Sequence, residues 1–277
     1  MSAHTPVAGK TPPSPPRLKR LADLLRKEKP DLSHLDALDM LAREHGWPNY
    51  KTYQKAWKAD RASAYRAQGF AITLSARWAD TRTRTHGVEI AQVMLSAPWW
   101  TFLSLEQRRS LVAVSRFRIE GKDRAKLVSS TEFNNVENAR HYAGKAARVL
   151  AFVDALRVVP AKPQAAYRWL GVDFSDRRCP ALDHELEWFD PSTGEFFLTN
   201  EPYLDPLTLK RQAQQAWLQN QGLQTLTLHE ISIHNPPRCV LQFITKKAES
   251  PMLAARLTAR CERLQQALAA VDGMTPG

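Results

Sequence analysis

The chain has 277 residues, of which 43% are hydrophobic and 24% charged. That length and composition suit a folded globular protein with a sizeable core and exclude a fibrous or wholly disordered chain. No run approaches the ~18 consecutive apolar residues of a membrane span, so an integral membrane protein is excluded and no membrane partner is expected. The formal net charge of +11 is unevenly spread. Residues 1–70 hold 13 Lys and Arg against 7 Asp and Glu, residues 71–160 hold 14 against 8, and residues 161–277 hold 12 against 13. The excess positive charge therefore lies in the first 160 residues. Such asymmetry points to a polyanion, usually nucleic acid, because cationic side chains gain affinity by releasing counterions from phosphates. A uniformly basic proteome is the other explanation.

Three cysteines, Cys179, Cys239 and Cys261, are few and widely spaced. They argue against a disulfide framework and for a reducing, cytoplasmic setting, and no C-x-x-C pair suggests a zinc site. The N-terminus lacks the apolar core of a secretory signal. Residues 1–16 carry Pro6, Pro12, Pro13, Pro15 and Pro16 and read as an extended tail.

Residues 17–66 read as a three-helix module. Leu18, Leu21 and Leu25 define a first helix from Arg17 to Lys29, stopped by Pro30, with Lys19 and Arg20 on its polar side. Ser33 and Asp36 form a capping box for a second helix, with Gly46 where a C-terminal cap belongs. Asn49 caps a third helix from Tyr50 to Arg61. On it Tyr50, Tyr53 and Trp57 face inward, while Lys51, Lys55 and Lys58 form a separate stripe. The arrangement is helix-turn-helix-like, and the lysine stripe suits either a phosphate backbone or plain solvent.

Residues 67–160 read as a basic α+β domain. Residues 70–79 and 86–95 form an antiparallel pair, buried on both sides at its far end, with Arg82 and Arg84 in the turn. A helix capped by Ser104 and Gln107 runs to Phe117 and carries Arg108 and Arg109. The run 116–126, with Arg116, Arg118, Lys122, Arg124 and Lys126, is the densest basic stretch and reads as a loop. A helix from Val136 to Arg157 forms a spine of about six turns. Pro160 and Pro163 mark a boundary, and residues 161–277 read as a C-terminal α+β domain suited to a protein partner. It contains a hairpin over 184–200, a helix over 206–221, strands over 223–233 and 238–245, and a helix over 251–270. The fold class is α+β with antiparallel sheets.

Enzyme motifs are weak. Gly9-Lys10-Thr11 has no preceding strand or first glycine, so it is not a phosphate-binding loop. His229 and His234 are five apart on a predicted strand, which is wrong for a zinc protease. Asp183, Glu185, Glu187, Asp190 and Glu195 could hold Mg²⁺ or act as acid and base, but solubility explains them as well. Glu120 and Lys122 superficially match a nuclease element but lack a nearby upstream Asp, the nearest being Asp80. No catalytic residue, metal site or cofactor is assigned.

The segment Leu35-Asp36-Ala37-Leu38-Asp39-Met40-Leu41-Ala42-Arg43-Glu44-His45-Gly46-Trp47-Pro48-Asn49-Tyr50 resembles a helical module of bacterial plasmid and integrative-element proteins. The hairpin Trp188-Phe189-Asp190-Pro191-Ser192-Thr193-Gly194, followed by Thr199-Asn200-Glu201-Pro202-Tyr203, is similar to the later part of one such uncharacterised family. The resemblance implies a mobile-element setting and nothing catalytic. The expectation is a non-enzymatic nucleic-acid-binding accessory protein, with DNA favoured over RNA. It would touch phosphates through Lys19, Arg20, Lys51, Lys55, Lys58, Arg82, Arg84, Arg108, Arg109, Arg116, Arg118, Lys122, Arg124 and Lys126. The alternatives are a metal-dependent nuclease and a protein-interaction module whose charge is incidental.

Overall fold

The computed structural model describes residues 15–45, 47–58, 69–122, 124–173, 179–229, 231–234 and 238–247, together with residues 255, 257, 260, 264–268 and 271. The chain divides into two compact units, Met1–Gln68 and Gly69–Gly277.

The first unit is a three-helix module: α1 (Pro15–Glu28), α2 (His34–Glu44) and α3 (residues 50–58). α1 starts two residues before its expected first residue, because prolines fit a first turn whose amides need no intrahelical partner. Ser33 Oγ accepts from the Asp36 amide at 3.1 Å, and Asn49 Oδ1 accepts from the Thr52 amide at 2.8 Å, so both expected N-caps form. Asp39 ties α2 to α3 by accepting the Tyr50 amide at 2.8 Å. Leu18, Ala22, Ala37, Leu38, Ala42, Tyr50 and Tyr53 form the core. Gly46 and Arg61 lie outside the described residues.

In the second unit β1 (Phe70–Asp80) and β2 (Thr85–Leu95) pair along their whole length. Ala91, Val93 and Leu95 are buried, while Val88, Ile90 and Met94 are exposed, so burial is one-sided rather than two-sided. Ser104 caps the next helix in a full capping box with Gln107. That helix breaks at Leu111 into α4 (Leu105–Ser110) and α5 (Val112–Ser115). The basic run beyond it is a hairpin of β3 (Phe117–Glu120) and β4 (Lys126–Ser129), not a loop. Its alternation, with Phe117 buried and Arg118 and Glu120 exposed, is masked in the sequence by charge density. The sheet order is β2-β1-β4-β3, and β4 runs parallel to β1, an exception to the all-antiparallel expectation.

α6 (Val136–Leu156) follows, and every residue from Ala143 to Leu156 except Lys145 is buried. The helix is covered on two sides. Asp154 accepts from the Ser96 amide and hydroxyl at the end of β2, each at 2.7 Å. Phe152 meets Trp188 and Phe243 of the second sheet, with ring centroids 4.8 and 6.1 Å apart. That sheet has the order β5-β6-β7-β9-β8, from β5 (Val159–Pro160), β6 (Leu186–Asp190), β7 (Glu195–Asn200), β8 (Leu223–Leu228) and β9 (Leu241–Lys246). Helices α7 (Ala165–Leu170) and α8 (Leu204–Asn220) accompany it. Of the expected last helix, the described residues from 255 to 271 are helical, and Leu257, Leu264, Leu268 and Val271 join the same core as both sheets.

Residues on both sides of position 160, where a boundary is expected, belong to the one compact unit Gly69–Gly277. Pro160 lies in an edge strand, where a missing amide is tolerated, and one hydrophobic core spans both sides of it. β8 also ends five residues short of its expected end, because the Ile233 and His234 amides donate to Glu201 instead of to a strand. Ala139, Ala143, Ala146, Ala147, Ala151 and Ala155 of α6 are all buried, and small side chains there let two layers approach one helix. Ala147→Leu should destabilise the protein by about 1–3 kcal/mol through overpacking, while Glu137→Leu on the exposed first turn should cost little; urea unfolding of both variants checks this.

Candidate functional site

The expected phosphate-contacting residues fall into separate groups. Lys19, Arg20, Lys51, Lys55 and Lys58 are exposed on the first unit. Arg82 and Arg84 lie exposed in the β1–β2 turn, and Lys122 and Arg124 in the β3–β4 turn. Because Lys126 pairs with Thr73 while the β1–β2 turn follows Asp80, these two turns sit at opposite ends of the sheet, about 23 Å apart along β1. Arg118 and Lys126 point from the outer face between them, next to Val128 and Glu120 by strand pairing. Arg109 is exposed on α4.

Arg108 departs from that set. It is 7% exposed and donates to the carbonyls of Val114 at 3.2 Å and Phe117 at 2.7 Å, holding the α4–α5–β3 corner together. Arg116, though exposed, lays its guanidinium over Tyr142 of α6 at 4.6 Å from the ring centroid.

The acidic hairpin is occupied structurally. Glu187 accepts the Gln164 and Ala166 amides at 2.7 and 2.9 Å and so caps α7. Asp190 accepts the Ser192 amide and hydroxyl within its turn. The Tyr167 hydroxyl donates to Glu185. Glu120 is exposed on β3, at the opposite end of the sheet from Asp80. Among the described residues no three His, Cys, Asp or Glu side chains are placed to share a metal ion.

A second cluster was not foreseen. His141, Lys145 and Arg148 lie at i, i+4 and i+7 on α6, so they share one face of a helix that is otherwise largely buried. Opposite them, one end of the second sheet brings together His184 before β6, Glu201 and Tyr203 after β7, and Ser232 to His234 between β8 and β9. Asn200 anchors this end. Its amide donates to Ala181 O at 3.1 Å and Gln242 Oε1 at 2.8 Å, and its Oδ1 accepts the Asp183 amide at 2.7 Å.

Glu201 is 1% exposed and accepts from Ser232 Oγ at 2.6 Å, the Ile233 amide at 2.6 Å and the His234 amide at 2.9 Å. Burial raises its carboxyl above the usual range, against the opposing pull of those donors and of Lys145. Arg148 donates to Ile233 O at 3.0 Å and fixes the same segment from the other side. Gly144 leaves space for it, since a Cβ there would lie 3.1 Å from the guanidinium.

Lys145 Nζ lies 2.5 Å from His234 Nδ1. The ammonium has no lone pair, so it donates, and His234 is neutral with its proton on Nε2. His234 stacks on His184, ring centroids 3.4 Å apart, and meets His141 edge-on at 5.7 Å. Burial first, and then Lys145 and the neighbouring imidazoles, push His234 down to about 3. Burial likewise lowers His141 and His184, the latter against the pull of Asp183. Lys145 is lowered by burial and by Arg148 and Arg116, with Glu201 opposing. Cys239 is buried and pushed up to about 11, chiefly by burial, which makes it a poor nucleophile.

A cavity of about 140 Å³ opens beside Lys145, lined by Leu111, Val112, Val149, Leu186 and Ile233 with His184, His234, Glu185 and Glu201. A larger cleft of about 620 Å³ shares His184 and Glu185 with it and extends past Asp183 and Tyr203. The arrangement places an amine and an imidazole in hydrogen-bond contact at the edge of a small, mainly apolar space.

Comparison of the chain with protein-family models, curated proteins and solved structures gave no match.

Two expectations follow from this geometry. The three histidines take up protons in the unfolded chain near pH 6.5 but resist doing so when folded, so stability is full above that pH and declines as pH falls toward about 3. Thermal melts from pH 7.5 to 5 should show a falling Tm. His234→Gln, which keeps an acceptor for Lys145 but cannot be protonated, should flatten the fall. Arg108→Ala should cost about 1–3 kcal/mol in urea unfolding by removing the donor to the Phe117 carbonyl and one of two donors to the Val114 carbonyl, while Arg109→Ala should cost under about 0.5 kcal/mol.

Proposed function

We propose that the protein binds nucleic acid through phosphate contacts. The observation carrying this reading is the β3–β4 hairpin, on which Arg118, Lys122, Arg124 and Lys126 are all exposed. Among the described residues none of the four makes an ion pair closer than 4 Å. Lys126 stands across the strands from Glu120 and Asp123 lies between Lys122 and Arg124 in the sequence, but the four cations outnumber these carboxylates and leave a net positive hairpin that attracts a polyanion. The overall charge of +11 adds long-range attraction. Lysines and arginines presented this way contact the backbone, so binding has little sequence preference. The lysine stripe of α3 supplies a second basic surface on the first unit.

Titration of fluorescent duplex DNA against the full chain at 50–200 mM salt tests the reading. Affinity should fall steeply and linearly in log–log form. The triple substitution Arg118→Ala, Lys122→Ala, Lys126→Ala should weaken binding and reduce the slope by about 2–3. An unchanged slope in that variant removes the hairpin from the interface, and binding that is independent of salt removes phosphate contact altogether.

A further inference from the structure

We propose that Lys145 is a nucleophilic amine that forms a Schiff base with a small, uncharged carbonyl compound held in the cavity beside it. The inference is independent of nucleic-acid binding and concerns a different part of the molecule.

Three features support it. First, Lys145 is the one residue between Ala143 and Leu156 that is not buried, and it lines the cavity wall. Second, its Nζ is in contact with His234 Nδ1, a neutral ring nitrogen that accepts from the amine and holds it at the cavity wall. Two groups this close cannot both be cationic, so the pair carries one proton between them. Arg148 and Arg116 also disfavour a second charge. A lysine beside other cations and against an apolar wall is the environment in which an amine becomes reactive at neutral pH. Third, the cavity suits a particular ligand. Its volume of about 140 Å³ admits a molecule of about four or five heavy atoms. Its apolar lining takes a short hydrocarbon body, and the Glu185 carboxylate in its wall disfavours a carboxylate or phosphate. An aldehyde or simple ketone fits, and a keto acid does not.

The step balances without a co-reactant. Lys145 gives one proton to solvent water, and the free amine adds to the carbonyl carbon. The oxygen becomes a hydroxyl by taking a proton from the attached nitrogen. It then leaves as water with a proton taken back from solvent, as the nitrogen lone pair forms the C=N bond. A protonated amine and a carbonyl become a protonated imine and water, with nothing oxidised or reduced.

Propionaldehyde with sodium cyanoborohydride at pH 7, followed by peptide mass spectrometry of the full chain, tests this. Each unit of lowering in an amine's pKa raises its neutral fraction tenfold. Lys145 should therefore be alkylated measurably faster than the exposed Lys51, Lys55 and Lys122. His234→Ala, which removes the acceptor that holds the amine, should slow Lys145 several-fold while leaving the other lysines unchanged. The wild-type comparison needs no substituted protein, so it stands even if a variant fails to fold. Modification of Lys145 no faster than of the exposed lysines overturns the proposal. A parallel arm uses an oligonucleotide carrying an abasic deoxyribose aldehyde. Trapping of Lys145 there, and not with propionaldehyde, overturns the assignment of a small free carbonyl. Loss of DNA affinity in the hairpin variant with Lys145 reactivity intact would separate the two sites.

Discussion

The larger unit depends on one helix being buried from two sides at once. α6 lies against β1 and β2 on one flank and against the aromatic rings of the second sheet on the other. Burial on both flanks requires small side chains, and the helix supplies six buried alanines and Gly144. Polar groups along it then need internal partners. Asp154 finds Ser96 and Arg157, and Arg148 finds the Ile233 carbonyl. The packing thus dictates where charge can survive.

That constraint produces the cleft. The His141–Lys145–Arg148 face meets the end of the second sheet where strands give way to irregular backbone. Glu201 is held there by three donors, and the Ile233 and His234 amides serve it rather than a strand. Such a group is costly to bury, and the surrounding hydrogen bonds offset part of the cost while burial still raises its carboxyl. The same surroundings keep three imidazoles neutral, which ties the stability of the unit to the state of its most reactive groups.

Much of the fold is legible in the residues themselves. The caps at Ser33, Asn49 and Ser104, the long β1–β2 pair and the span of α6 follow from local chemistry that the tertiary structure leaves intact. The β3–β4 hairpin is hidden because exposed arginines and lysines outnumber its few inward apolar residues. The cleft is harder to see. A polar stripe at i, i+4 and i+7 ordinarily marks the solvent side of a helix, and here only tertiary packing covers it. His234 looks like a strand-end histidine until Glu201, 33 positions away, takes its amide. The i, i+4, i+7 spacing within a helix otherwise rich in alanine was the available signal.

The central claim is that α6 delivers Lys145 to a neutral His234 inside the folded unit. Imidazole ¹⁵N shifts of His234 at pH 6 test it most directly. The structure requires a neutral ring with its proton on Nε2, whereas an imidazolium, or a proton on Nδ1, would mean that Lys145 does not donate to it and that the cleft is not assembled as described.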